Sequence, residues 1–295
     1  MIIPAGNKNG GYTKGFKMAN RAKIREEAKK LNPIDDLMFR KMAEEKEFCE
    51  EILRVILEDK ELLVLESVPQ WTGTNLQGRS VILDAKCVKS DGTQVNIEIQ
   101  KADDDDHQRR VRYNGAIMTT NLADPGIKFR NLPDVCVVFI SKFDMFGGNL
   151  PLYHVERVVR ETKEVVDNGF QEIYVNTKVK DQSDVSELME VFVNDEVYNN
   201  KFPVTSDKKR CYKETEGGLS IMCEIMEKLN DEARLEGREE GREEGREEGR
   251  MEGINLVAEN MIRAHKTATE ISSLTGIPLE KLKELSEKIG IMLVL

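Results

Sequence analysis

Val81-Ile82-Leu83-Asp84-Ala85-Lys86-Cys87-Val88-Lys89, then Ser90-Asp91-Gly92, then Thr93-Gln94-Val95-Asn96-Ile97-Glu98-Ile99-Gln100-Lys101 is the stretch that decides the architecture. Both flanks alternate apolar and polar residues with a period of two, as half-buried strands do. The Asp-Gly pair between them is a turn signal, so the spacing predicts a β-hairpin. In the second run Val95, Ile97 and Ile99 project to one side, while Asn96, Glu98 and Gln100 project to the other.

The register follows from the same residues. A three-residue loop, Ser90 to Gly92, pairs Lys89 with Thr93 and carries Asp84 opposite Glu98. A two-residue loop would oppose Asp84 to Ile99 and mix polar with apolar side chains on one face, which a one-residue slip always does. The first register puts two carboxylates side by side, with Cβ atoms about 5 Å apart. Such a pair repels; one member rises in pKa, or a cation sits between them. Hard divalent cations such as Mg²⁺ take oxygen ligands, commonly one or two carboxylates together with substrate phosphates. That is the donor set of metal-assisted phosphodiester hydrolysis. The plainer reading is a hairpin whose polar face is hydrated.

Other segments favour the first reading. The run from Asp84 through Glu98-Ile99-Gln100 resembles the core of the PD-(D/E)xK nuclease superfamily, and within it the Rpn-type recombination-promoting nucleases, a transposase-associated branch. Asn32-Pro33-Ile34-Asp35-Asp36-Leu37-Met38-Phe39-Arg40 resembles the entry segment of that family. Arg110-Val111-Arg112-Tyr113 resembles the helix after its hairpin. Phe143-Asp144-Met145-Phe146-Gly147 with Leu152-Tyr153, and Glu172-Ile173-Tyr174-Val175-Asn176-Thr177, resemble its later strand segments. The Gly-Arg-Glu-Glu run and Glu270-Ile271-Ser272-Ser273-Leu274-Thr275-Gly276 resemble its C-terminal region. These matches fall in order between about residues 30 and 290.

The resemblance implies an α/β fold: a restriction-endonuclease-like αβββαβ core with a mixed sheet, followed by a C-terminal helical extension. It implies a metal-dependent DNA endonuclease linked to recombination or mobile elements, with Mg²⁺ (or Mn²⁺) on Asp84 and Glu98 and with Asp36 as a third acid. Gln100 stands where lysine stands elsewhere in the superfamily, and Leu83 stands where proline does. A neutral amide is neither a base nor a full positive charge; Lys86, on the face of Asp84, can supply that charge. Arg110, Arg112 and Tyr113 are the implied DNA contacts. The alternative is a catalytically inactive nuclease fold that serves as a DNA-binding or assembly module.

Composition bounds these readings. The chain has 295 residues, 39% hydrophobic and 33% charged, so part of it must be solvated. No apolar run reaches the roughly 18 residues of a membrane span, and no secretory leader is visible, so a cytoplasmic protein without membrane contact is expected. Five scattered cysteines without a CxxC pair, and three histidines, argue against a structural zinc site and for reduced thiols. The net charge of −10 argues against a simple electrostatic nucleic-acid binder, although an acidic body can still bind DNA through local basic groups and metal ions. Residues 1–30 carry +6, residues 31–230 carry −11, residues 231–252 carry −5, and the remainder balances.

The expected organisation is a flexible basic arm over 1–30, with either Met1 or Met18 as its start, and a nuclease-like domain over 31–200. A connection and helix start over 201–230, a charged helical repeat over 231–253 and a small helical module over 254–295 complete it. Residues 34–58 read as helical, Leu62–Val68 as a strand, and 103–106 as acids capping the next helix. Val135–Ile140 reads as a strand covered on both faces. Leu152–Val159 and Ile173–Val175 read as short strands, Val185–Val193 as a helix, and 194–216 as irregular. The four-residue glycine period drifts against 3.6 residues per turn; its stripe is read either as a solvated linker or as a seam for homo-oligomerisation through the C-terminal helices. The ending resembles a helix pair, with Thr267 or Thr269 as a cap, Gly276 as a stop and Pro278 as an opener.

Overall fold

The hairpin forms in the expected register. In the computed structural model, which describes residues 21–75 and 78–294, β2 (Val81–Lys89) and β3 (Gln94–Gln100) are antiparallel with Val88 opposite Gln94 and Ala85 opposite Ile97. Lys89 N–H donates to Thr93 O at 2.9 Å, and Gly92 takes φ +91°, a conformation open to a residue without Cβ. The first 20 residues, most of the basic arm, lie outside the described residues.

The chain divides into two compact units, Met1–Met226 and Glu227–Leu295. In the first, β1 (Val64–Gly73), β4 (Val135–Ser141), β5 (Leu152–Val155) and β6 (Phe170–Asn176) complete a six-stranded sheet of order β1-β2-β3-β4-β6-β5. The pairs β3/β4 and β4/β6 are parallel and the others antiparallel, so the sheet is mixed. A parallel neighbour needs a crossover, and α4 (His107–Leu122) supplies it between β3 and β4. Alternation then fixes the layers. Val137 and Phe139 pack with Val111 of α4 on one face. Val95, Ile97, Ile99, Cys136 and Val138 pack on the other face, against the helix over residues 21–30 (α1), α2 (Asp36–Ala43), α3 (Lys46–Ile56), α5 (Asp184–Val193) and α6 (Pro203–Glu214). β4 is buried along its whole length, which is why it reads as a continuous apolar run.

Three local expectations are corrected. Residues 34–58 form two helices: the chain turns extended at Glu45 (φ −104°, ψ 114°), and the Ser67 hydroxyl donates to the freed carbonyl of Ala43 at 2.7 Å. β5 ends at Val155, and of the segment beyond it only Val158 bridges, to Val165. Residues 203–214, expected to be irregular, are α6. Pro203 opens this helix. The Glu51 carboxylate accepts from Val204 N–H (3.0 Å) and Thr205 N–H (2.7 Å), so a residue of α3 caps it.

In the second unit, Ala258 and Ile262 of α7 (Glu216–Arg263) pack with Ile271 of α8 (Ala268–Thr275) and Leu282 of α9 (Leu279–Ile289). The charged repeat is helical, with exposed pairs such as Glu239–Arg242 at 3.7 Å and Glu247–Arg250 at 2.6 Å. Thr267 caps α8: its hydroxyl accepts from Glu270 N–H (3.3 Å), and the Glu270 carboxylate accepts from Thr267 N–H (3.1 Å). Thr267→Ala is therefore expected to destabilise this unit by about 1 kcal/mol. A lower denaturant midpoint at constant m-value checks it. Among the described residues no helix is long and apolar enough to cross a membrane, and none of the five cysteines is in a disulfide.

Candidate active site

The β2/β3 ladder stops at Ala85 opposite Ile97, one residue short of the two acids. Beyond it, Ile99 N–H donates to Asp84 Oδ2 at 3.0 Å, so a side chain takes the place of a backbone acceptor. The faces change at the same level. Leu83 belongs to the cluster under α4, whereas Ala85 belongs to the core beneath α2 and α3, although alternation alone would put both on one side. In β1 the backbone takes φ +53° at Gln70, between Pro69 and Trp71, the residues paired with Ala85 and Leu83. A local irregularity of this kind re-aims side chains, here around Asp84.

Both carboxylates are nearly sealed from solvent, Asp84 at 4% exposure and Glu98 at 1%. Each is met by an arginine. Asp84 Oδ1 accepts from Arg40 Nε (3.3 Å) and Nη2 (3.1 Å). Glu98 Oε2 accepts from Arg110 Nη2 at 3.1 Å, and Glu98 Oε1 accepts from the amides of Asn96 and Asn114, both at 3.1 Å. Burial nevertheless raises both acids above the ordinary carboxyl range. For Glu98, burial and then the neighbouring Asp84 charge push the pKa up to about 7, against the pull of Arg110 and Asn96. For Asp84, burial outweighs the Ile99 N–H and the Arg40 charge. Each carboxylate thus has one arginine, and it is burial more than surplus charge that raises the two acids.

Gln100 is tied into the same network. Its Oε1 accepts from Arg110 Nη1 (3.2 Å) and its Nε2 donates to Ala102 O (2.9 Å). Arg110 thus spans Glu98 and Gln100 with the two arms of one guanidinium. α4 aims it there because Asp106 caps the helix, accepting from Arg109 N–H at 3.1 Å. This is the capping role expected of the acidic quartet. Arg110 and Asn114, four residues apart, share the flank of α4 that faces Glu98.

The remaining candidates sit elsewhere. Asp36 lies at the start of α2 with its side chain 63% exposed, and Arg40 Nη2, which holds Asp84, is 3.8 Å from its Oδ2. Among the described residues no three metal-ligating side chains of Asp, Glu, His or Cys cluster together. Lys86 Nζ lies 5.1 Å from the centre of the Trp71 ring. The Tyr113 hydroxyl donates to Arg79 O and accepts from Asn75 Nδ2 (3.2 Å), linking α4 to the segment after β1. Arg112 is exposed on the opposite flank of α4 from Arg110.

Three members of the network were not singled out from the sequence. Asn96 shares the face of Glu98 at two residues' distance and keeps a buried Oδ1 without a partner. Asn114 is signalled by its position four after Arg110. The grip of Arg40 on Asp84 spans 44 positions and leaves no local trace. A family model described as PD-(D/E)XK nuclease family transposase matches residues 33–246, and these include every residue of the network. No curated protein and no solved structure matches the chain.

Proposed function

We propose, from the premise that the chain belongs to the PD-(D/E)XK nuclease family of transposases, that it is a divalent-metal-dependent DNA endonuclease acting through Asp84 and Glu98. The observation that carries this reading is the pair of buried, arginine-held carboxylates where β2 and β3 stop pairing. Oxygen donors of this kind suit Mg²⁺ or Mn²⁺ better than soft metals. A bound ion supplies charge stabilisation at the scissile phosphate and acidifies an attacking water. Asp36 acts at one remove, through the Arg40 guanidinium that it shares with Asp84, and Asp84 and Glu98 are the two acids that would hold the ion.

The chain's own groups account for the rest. Arg110 is a fixed guanidinium fork suited to phosphoryl oxygens as their charge develops. Gln100 holds that fork by its carbonyl and supplies no base, so general-base work falls to solvent. Asn96 and Asn114 keep Glu98 Oε1 in place, leaving the arginine on Oε2. Arg40 neutralises Asp84 until a cation enters. Arg112 and Tyr113 extend the contact to DNA along α4. The acidic body makes binding dependent on these local groups and weak at physiological salt.

The test is nicking of supercoiled DNA with Mg²⁺ and with EDTA. DNA binding without metal-dependent nicking would select the inactive module instead, a reading that the amide at Gln100 favours. A second expectation concerns pH. The carboxylate of Glu98 ligates metal and its acid does not, and its pKa is raised to about 7. At sub-saturating Mg²⁺ the nicking rate should therefore rise about tenfold per unit below pH 7 and level off above it. At saturating metal the midpoint should move to lower pH. A profile that is flat from pH 6 to 8 at low Mg²⁺ would remove Glu98 as a ligand.

A further inference from the structure

On the other flank of α4 a cleft of about 600 Å³ opens between Arg112 and the segment leading into β4. Three arginines line it, Arg112, Arg130 and Arg157, against one carboxylate, Asp134. In a body that is strongly acidic overall, this local excess of positive charge needs a cause. Arg157 is committed: its guanidinium lies 4.8 Å from the centre of the Phe170 ring and 3.9 Å from Glu172. The side chains of Arg112 and Arg130 make no hydrogen bond or ion pair among the described residues. Beside them Phe129 is 88% exposed, its ring in water between two basic residues, Lys128 and Arg130. Phe170 also lines the cleft and seats against α4 because residue 115 is glycine; a Cβ there would lie 2.2 Å from Phe170 Cε2.

We propose that this cleft binds an unpaired nucleotide of the substrate DNA, with its base on Phe129 and its phosphate between Arg112 and Arg130. A free guanidinium fork matches phosphate oxygens, and an exposed ring gains by stacking a base. The volume is that of a small-ligand pocket and far below what a duplex occupies. In a duplex the base faces are covered by their neighbours, so the ring of Phe129 selects a frayed, flapped or tailed strand. α4 turns Arg110 to Glu98 and Arg112 to the cleft, and a helix is only about 10 Å across. One strand lying over α4 reaches both. The proposal rests on the nuclease reading for its substrate, and it makes that substrate a junction between paired and unpaired DNA.

The test is binding without metal, so cleavage plays no part in the readout. The full chain, in EDTA, is titrated by fluorescence anisotropy against a blunt duplex and the same duplex carrying a short oligothymidine tail. The tailed duplex should bind about tenfold tighter. Phe129→Ala and Arg130→Ala should each erase most of that preference, and Arg112→Ala should weaken it. Exposed positions of this kind leave the thermal midpoint unchanged, so misfolding is separable. Equal affinity for the two DNAs, absence of binding to either, or a preference that survives the Phe129→Ala/Arg130→Ala pair would each overturn the proposal. Failure of the nuclease reading shows separately, as a tail preference in a protein that nicks no DNA with Mg²⁺.

Discussion

Glu98→Gln is expected to reduce Mg²⁺-dependent nicking by about 10³-fold, equivalent to roughly 4 kcal/mol of transition-state stabilisation. The substitution keeps the volume and an acceptor for the Asn96 and Asn114 amides, which both reach Oε1. It removes the charge, and a neutral amide is a poor ligand for a hard cation. The same change should raise stability in EDTA at pH 8. The folded pKa of Glu98, about 7, lies above the ordinary 4.5. The folded state therefore holds this proton more tightly than the unfolded state does. The resulting penalty on folding is absent below about pH 4.5, grows with pH and is complete above 7. It amounts to no more than about 3 kcal/mol. Glutamine does not ionise and escapes it. Two readouts check the assignment together: nicking rate, and thermal midpoint with and without Mg²⁺. The ion should stabilise the wild-type chain and leave the variant unmoved. A variant that nicks at the parent rate, or that Mg²⁺ stabilises equally, would end the case for Glu98.

Lys209→Met should cost about 3–5 kcal/mol of stability, the largest effect anticipated away from the site. Lys209 is fully buried on α6. Its Nζ donates to Val191 O (3.0 Å), Asn194 O and Val197 O (3.1 Å), the carbonyls left open where α5 ends. Burial first, and then the positive charge of Lys213, lower its pKa to about 8. Its charged form is thus less favoured in the folded state, and this unfavourable contribution is complete below about pH 8 and fades as the pH rises from there towards the ordinary 10.5. The three carbonyls still need their donor. Methionine fills the space and satisfies none of them. Equilibrium urea unfolding measures the loss, and a change below about 1 kcal/mol would show that water replaces the amine.

Lys209 also explains what sequence reading could not see. α6 buries Thr205, Ser206, Lys209, Tyr212 and Lys213, so the side that faces the core is mostly polar in composition and no apolar stripe marks it. Its N-terminal cap comes from Glu51, 153 positions away from Val204. The hairpin was legible for the opposite reason. Its second strand separates apolar from polar side chains cleanly between two faces, its loop has a fixed length, and a slip would invert every side chain. The break between α2 and α3 has no glycine or proline to announce it; it is stabilised by Ser67 from a strand still to come. Within the site, Glu98, Gln100 and Arg110 stood out from pattern and resemblance. The partner of Asp84 did not, because a guanidinium 44 residues earlier is brought there by packing alone.

Asp84 carries a duty that Glu98 does not. One of its oxygens closes the sheet by accepting the N–H of Ile99, in place of a main-chain carbonyl. Replacing it would leave a buried donor stranded whatever happened to the chemistry. Copies of such a gene drifting toward silence would therefore shed the glutamate first and keep the aspartate as masonry, since of the two only the aspartate holds a main-chain N–H of the sheet. A decayed descendant should be recognised by what stands at position 98, while an aspartate at position 84 says only that the sheet still stands.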